Sequence, residues 1–492
     1  MDKIKIEQFY IKWQTTLSPR IEGYIYDENR NLLPTRFIFT KFKKVIEKFL
    51  NNSLSEIEKI ILIPGIRGIG KSTLLTQTYT VEKFLKSEDK GVLENIGELD
   101  ERLYLDVSQL HAEQISLHDF FNFYEEINGF NFEKPNKKIL LLLDEIHFDE
   151  NWGLFLKNTF DRTKGHKDVL VIATGSSALQ INMIADLGRR SDVWEIFPMT
   201  FSEYMILKYS KYPSPELSDY LRDTLFNSFN ASEVFEGLLQ KKSEIDRYFI
   251  NEIPRNAEKD FFQSGSFPSA IKIENKQKVQ EKIKSVIDGI IAKDILKLKN
   301  FDTHTVAKIS DLLYLLAQSD LISYSKIQEA LKINRAETLG NLIEVLIMSG
   351  ILVKIRTYGT SYGSTRKTPK LFFITPSLRS AILNNNYTSG LEGKKLEDYF
   401  VLIFQKILKD RQTFGVPKLS YDIAEGGADF VLTLKDRGNI VIEIGFNKEE
   451  VRQVQNTMKK VKSQYGLVFG SSELELVKDY IVKVPLKFLL LI

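Results

Sequence analysis

The chain has 492 residues, 43% hydrophobic and 27% charged, with a formal charge of +3 and no cysteine. Those proportions are ordinary for packed globular domains, and at about 150 residues each they suggest roughly three of them. The near balance of charge excludes a uniformly basic, histone-like protein, and the missing thiol excludes disulfides, thiolate zinc sites, iron–sulfur clusters and cysteine nucleophiles.

The first residues, Met1 to Glu7, carry charges where a secretory signal needs an apolar core. No apolar run approaches the roughly 20 residues of a membrane span. A cytoplasmic chain with no membrane partner is therefore expected. Residues 1–54 form an N-terminal segment, in which Gly23 to Thr35 reads as loop. Arg36 to Leu50 reads as a helix, with Phe37, Phe39, Phe42, Ile46 and Phe49 at helical spacing. Over 55–205, the apolar runs Ile60–Ile63, Leu103–Val107, Ile139–Leu143, Val169–Ala173 and Val193–Phe197 alternate with helical segments. That alternation predicts a parallel sheet covered on both faces. After Tyr212-Pro213-Ser214-Pro215 the pattern turns helical, and 206–300 reads as a helical lid or linker. Within 301–385, three helices with breaks near Ser323 and Asn334 precede two strands, Ile351–Ile355 and Lys370–Ile374. Over 386–492 the order reads helix, strand, strand, helix, strand, with Phe488 to Ile492 as a short buried terminal strand.

Gly65-Ile66-Arg67-Gly68-Ile69-Gly70-Lys71-Ser72 has the spacing of a phosphate-binding loop between a strand and a helix. Its glycines let backbone N–H groups approach phosphate oxygens without a Cβ in the way, and the helix N-terminus points at the same anion. Lys71 would reach the β- and γ-phosphates of ATP, Ser72 would bind Mg²⁺, and Thr73 is a further candidate phosphate contact. Ile139 to Leu143 then lead into Asp144-Glu145. Asp144 would hold Mg²⁺ through water, and Glu145 would orient or deprotonate the attacking water. His147 is expected to support this pair rather than react. Thr174-Gly175-Ser176-Ser177 closes the fourth strand; Thr174 or Ser176 would sense the γ-phosphate or hold the water, while Ser176 or Ser177 could equally cap a helix. In Gly188-Arg189-Arg190, either arginine is a candidate finger for transition-state charge, an effect of roughly 10³–10⁵ in rate where one operates. The alternative is a surface pair.

These motifs, together with Leu143-Asp144-Glu145-Ile146, Phe197-Pro198-Met199-Thr200-Phe201-Ser202-Glu203-Tyr204, Gly265-Ser266-Phe267-Pro268, Lys293-Asp294-Ile295 and Thr368-Pro369-Lys370-Leu371-Phe372-Phe373, resemble a known family. It comprises AAA-type ATPases of bacteria and archaea with a C-terminal winged helix and a restriction-endonuclease-like domain. The resemblance covers about residues 55–490. It implies an α/β fold: a P-loop NTPase with an AAA-like parallel sheet, a helical segment, a winged helix (301–385) and a C-terminal nuclease-like domain (386–492).

In the winged-helix reading, Val306, Ile309, Leu312, Leu313 and Leu316 form the apolar face of the first helix, and Arg335 to Ser349 form the recognition-like third. Arg356, Tyr358, Tyr362, Arg366 and Lys367 place cations beside aromatics, which suits a phosphate backbone. Glu337 and Glu344 would repel one, and winged helices also dock proteins. The last domain resembles the PD-(D/E)xK nuclease fold, and Glu397, Asp429 and Glu443 fall on its metal-binding positions. The lysine expected two residues after Glu443 is Gly445; Lys448 is the nearby substitute. That departure favours a degenerate, non-cleaving domain, in which a metal could still bind, over the alternative of an active nuclease.

The function expected is hydrolysis of ATP with Mg²⁺, controlling the attached domains on DNA. The alternatives are a nucleotide-dependent switch that binds a protein partner, as in defence or stress signalling, and an ATP-regulated nuclease. A finger arginine acting on a neighbour's nucleotide would require a homo-oligomer.

Overall fold

The computed structural model describes residues 3–86, 89, 94, 99, 101–175, 187–211, 213–295, 301–318, 324–359, 367–384, 391–408, 417–435 and 437–492. Ser176, Ser177, Tyr212, Ser323, Tyr362 and Arg366 lie outside them. The chain divides into two units, Met1–Ile196 and Phe197–Ile492.

In the first unit, strands β1 (Ile60–Pro64), β2 (Glu101–Asp106), β3 (Ile139–Asp144), β4 (Val169–Gly175) and β5 (Asp192–Val193) form a parallel sheet. Their spatial order is β2-β3-β4-β1-β5. Every residue of β1, β3 and β4 is buried. Strands covered on both faces need such uninterrupted apolar runs. The fifth strand is shorter than its apolar run, but Trp194 and Ile196 still donate to the carbonyls of Leu62 (2.8 Å) and Pro64 (2.9 Å). The chain thus stays beside β1 as far as Ile196. Because β3, β4 and β1 are neighbours, the segments leaving their carboxyl ends converge, the usual ligand edge of such sheets.

The N-terminal segment is more ordered than its sequence suggests. A helix runs over Lys3–Ile25, past the point where loop was expected, and buries Ile6, Phe9, Trp13, Leu17, Ile21 and Ile25. These lie three or four residues apart, on one face. Thr15, Thr16, Ser18 and Pro19 between them dilute the pattern. This helix packs on the helices Lys71–Tyr79 and Leu117–Asn128. The next helix begins at Phe39 rather than Arg36 and buries Phe39, Phe42, Ile46 and Phe49.

The second unit opens with helices Phe201–Tyr209, Pro215–Asn227, Ala231–Asn251 and Lys276–Gly289. The motif residues here do packing work. Thr200 and Glu203 form a capping box on the first helix. Met199 N–H donates to the Ser266 carbonyl at 2.9 Å. A Cβ on Gly265 would lie 2.7 Å from Phe261 and 2.9 Å from Tyr204, so only glycine fits between those rings. Helices Thr303–Gln318, Tyr324–Leu331 and Ala336–Met348 follow, then an antiparallel hairpin of β6 (Leu352–Thr357) and β7 (Lys370–Phe373).

The remaining strands are β8 (Lys418–Tyr421), β9 (Phe430–Leu434), β10 (Gly438–Ile444), β11 (Ser463–Phe469), β12 (Glu475–Val477) and β13 (Ile481–Val484). They do not form a separate sheet. Arg356 and Thr357 of β6 pair in parallel with Ser420 and Tyr421 of β8, giving one eight-stranded sheet in the order β12-β13-β11-β10-β9-β8-β6-β7. Alternation along β10 sends Ile440, Ile442 and Ile444 into one core. Val441 faces the other, against Val454 and Met458 of the helix Arg452–Val461. The final apolar run is a helix, Leu486–Leu490, rather than the expected strand. Pro485 starts it, and a buried run this short has no period to distinguish the two. Among the described residues, no helix is long and apolar enough to cross a membrane.

Candidate functional site

The glycine-rich loop after β1 is shaped by close approach. A Cβ at Gly65 would sit 2.5 Å from Ile69 Cδ1 and 2.7 Å from the Ile196 carbonyl oxygen. Gly68 (φ 78°) and Gly70 (φ 91°) occupy the left-handed region that glycine enters without a steric penalty. Gly70 caps the helix Lys71–Tyr79, accepting from Leu74 N–H at 3.0 Å. The helix therefore opens at the loop, and a helix N-terminus presents N–H groups to an anion. Ile69 is buried, while Arg67, Ser72 and Thr73 are half-buried. Lys71 is buried and its Nζ donates to the carbonyls of Gly65 (2.8 Å) and Ile66 (3.0 Å). Arg36 Nη1 donates to the Ile69 carbonyl at 2.8 Å, pinning the loop from outside the motif.

At the same edge, the buried Asp144 ends β3. Its Oδ1 accepts from Thr174 Oγ1 at 2.5 Å and its Oδ2 from the Tyr104 phenol at 2.9 Å. Thr174 Oγ1 in turn accepts from Glu145 N–H at 3.0 Å, so one hydroxyl ties together both acidic residues. Glu145 has φ 52°, a left-handed conformation that costs a non-glycine residue on the order of 1 kcal/mol or more. Its Oε2 lies 3.5 Å from Nδ1 of the buried His147.

Around this core stand residues that no motif marks. Asp106 ends β2 directly opposite Asp144 in the parallel register. Burial, and then the Asp144 charge, hold its carboxyl above the usual range, against the Ser108 hydroxyl (2.6 Å) and Arg20 (3.6 Å). Burial and the Asp144 charge push the Tyr104 phenol far above its ordinary value. At the end of the N-terminal helix, burial first, then the Asp144 and Asp106 charges, raise the pKa of Tyr24. The structure ends β2 at Asp106, one residue before the end of the apolar run, as Asp144 ends β3. Arg190 Nε lies 3.4 Å from Asp161 and its guanidinium 6.0 Å from the Phe160 ring, while Arg189 is exposed.

The residues fit a magnesium nucleotide. The loop offers N–H donors and an ammonium to phosphate. Asp144 keeps lone pairs beyond its two accepted hydrogen bonds, and the Ser72 hydroxyl stands in the first turn of the helix.

In the second unit, Asp429 and Glu443 face each other across β9 and β10. Asp429 N–H donates to Glu443 Oε2 (3.2 Å), and Ile444 N–H donates to Asp429 Oδ2 (2.9 Å). Lys448 Nζ reaches Glu443 Oε1 at 2.7 Å and donates to Gln453 Oε1 at 2.9 Å. Burial, and then the Asp429 charge, push the Glu443 carboxyl up to about 7 despite Lys448. A Cβ on Gly445 would lie 3.3 Å from Lys448 Cδ, so the Lys448 stem fills the space a side chain at 445 would use. Glu397 is placed differently: its Oε2 lies 3.7 Å from Lys370 Nζ. Among the described residues, no group of three or more His, Cys, Asp and Glu side chains that could hold a metal is gathered.

Residues 57–205 match the AAA domain family, and residues 257–389 match a domain of unknown function, DUF8612. Similar solved structures include the Walker-type ATPase PABY2304 of Pyrococcus abyssi, at 15% identity over 70% of this chain and 94% of that one, with a TM-score of 0.36. Another is the Aeropyrum pernix ORC1 protein in complex with DNA, at 14% identity over 74% and 96%, with a TM-score of 0.33. Over 463 residues, 93% of this chain and 89% of its relative, the sequence is 33% identical to the uncharacterized protein MJ1637 of Methanocaldococcus jannaschii. The chain belongs to the family of that Methanocaldococcus protein, and its residues 57–205 are an AAA domain.

Proposed function

We propose that the protein binds and hydrolyses ATP in its first unit and that the nucleotide state controls the activity of the second unit on DNA. The observation that carries the hydrolytic reading is the Thr174 hydroxyl, which holds Asp144 and the Glu145 backbone together beside the loop lysine. In this reading the loop N–H groups and Lys71 bind the phosphates. Ser72 and Asp144 hold Mg²⁺, which neutralises phosphate charge when bound. Glu145 accepts a proton from the attacking water, and Thr174 keeps the Glu145 backbone and the Asp144 carboxylate in fixed relation. Arg189 and Arg190 are the cations available for transition-state charge, in the same chain or a neighbouring copy.

DNA is proposed on the chemistry of the three helices and hairpin, read as a winged helix. Arg335, Arg356, Lys367 and Tyr358 are exposed there, a set that suits a phosphate backbone. Duplex DNA is expected to raise the rate of ATP turnover, measured as phosphate release at low salt, and to lose that effect as salt rises. Turnover indifferent to DNA at every salt concentration counts against this part and favours a switch that acts on a protein.

A second reading, an ATP-regulated nuclease, is favoured by the position of Lys448. Its ammonium contacts Glu443 although the residue two positions after Glu443 is glycine. On this reading Asp429 and Glu443 hold the metal and Lys448 supports the attacking water. Plasmid DNA incubated with Mg²⁺ or Mn²⁺ is then nicked by the native chain and not by Asp429→Ala. Equal nicking by both proteins would be contamination, and no nicking by either would leave a non-cleaving domain.

A further inference from the structure

The N-terminal helix is joined to the magnesium carboxylate by a short chain of direct contacts. The buried Trp13 donates its indole N–H to the Tyr104 carbonyl at 2.7 Å, and the two rings stack at 6.3 Å and 16°. Tyr104 lies on β2, and its phenol crosses to the neighbouring strand to donate to Asp144 Oδ2 at 2.9 Å. Arg20, about two turns along the same helix, stacks over the Trp13 ring at 4.5 Å and stands 3.6 Å from Asp106, the carboxylate opposite Asp144. One helix therefore fixes the backbone of β2 and also sets a cation against the second negative charge beside Asp144.

We propose that Tyr104 is a positioning residue for Asp144 and that the N-terminal helix, through Trp13 and Arg20, is a working part of the Mg²⁺ site. The physical reason is orientation. A carboxylate that must accept from metal-bound water needs its two oxygens held in one rotation. Thr174 anchors Oδ1 and Tyr104 anchors Oδ2, so the carboxylate plane is fixed from both sides. Removing the phenol leaves one anchor and lets the carboxylate turn. Removing the indole N–H loosens the strand that presents the phenol. Outer hydrogen-bond partners of this kind commonly change metal affinity by about 10- to 100-fold.

The inference rests on Asp144 holding Mg²⁺, and the test separates the two. Binding of a fluorescent ATP analogue to the full chain is titrated with and without Mg²⁺, alongside melting temperature. For Tyr104→Phe, Mg²⁺-free nucleotide affinity should stay native while the Mg²⁺ needed for half-maximal tightening rises about tenfold. Trp13→Phe keeps an aromatic ring, though a smaller one, and loses the donor; its Mg²⁺ requirement should rise in the same direction by a smaller factor. If Tyr104→Phe does not fold, Trp13→Phe decides alone. Native Mg²⁺ requirements in every folded variant overturn the inference. If instead the native chain and Asp144→Asn respond to Mg²⁺ identically, the assignment of Asp144 itself is wrong.

Discussion

Glu145→Gln should bind ATP with native affinity and hydrolyse it about 10²- to 10⁴-fold more slowly, the range that general-base catalysis ordinarily supplies. The amide keeps the size of the side chain and leaves the backbone bond from Glu145 N–H to Thr174 intact. The φ of 52° is a backbone property that glutamine accepts as glutamate does. What disappears is the oxygen able to take a proton. Nucleotide binding followed by fluorescence, beside phosphate release in single-turnover conditions, separates the two steps. Turnover close to native would transfer the role of base to another group, and His147, 3.5 Å from the Glu145 carboxylate, would be the first to test.

Lys71→Ala should weaken ATP binding by at least about a hundredfold, since charge-assisted hydrogen bonds contribute on the order of 1.5–3 kcal/mol each and the ammonium reaches more than one phosphate oxygen. The fold itself should survive. Lys71 donates to the carbonyls of Gly65 and Ile66, but the loop conformation is set by glycines 65, 68 and 70 and by the Arg36 bond to Ile69. Isothermal titration with ATP and Mg²⁺ measures the loss, and the far-ultraviolet circular dichroism spectrum should match that of the native chain. Native affinity in the variant would mean that the loop amides alone hold the phosphates.

The parts of this site legible in the sequence are those whose physics is local. A loop that must fold tightly between a strand and a helix carries its glycines within eight residues, and a strand buried on both faces shows as Ile139 to Leu143. The parts that were not legible depend on pairings across long separations. Trp13 meets Tyr104 and Tyr104 meets Asp144 only because the sheet brings distant segments together. Lys448 returns to Glu443 through the turn after β10, which no periodicity describes. The helix at Leu486–Leu490 and the shortness of β5 show the same limit, because a run of four or five apolar residues carries too little pattern to fix its conformation.

The joining of β6 to β8 has a mechanical consequence. Two pairs, Arg356 with Ser420 and Thr357 with Tyr421, splice the hairpin onto β8, two strands away from β10, which carries Glu443. Backbone hydrogen bonding therefore runs continuously from the hairpin into that sheet. A load on the hairpin would therefore pass along the sheet toward the carboxylate pair of Asp429 and Glu443 through backbone hydrogen bonds rather than through a loop.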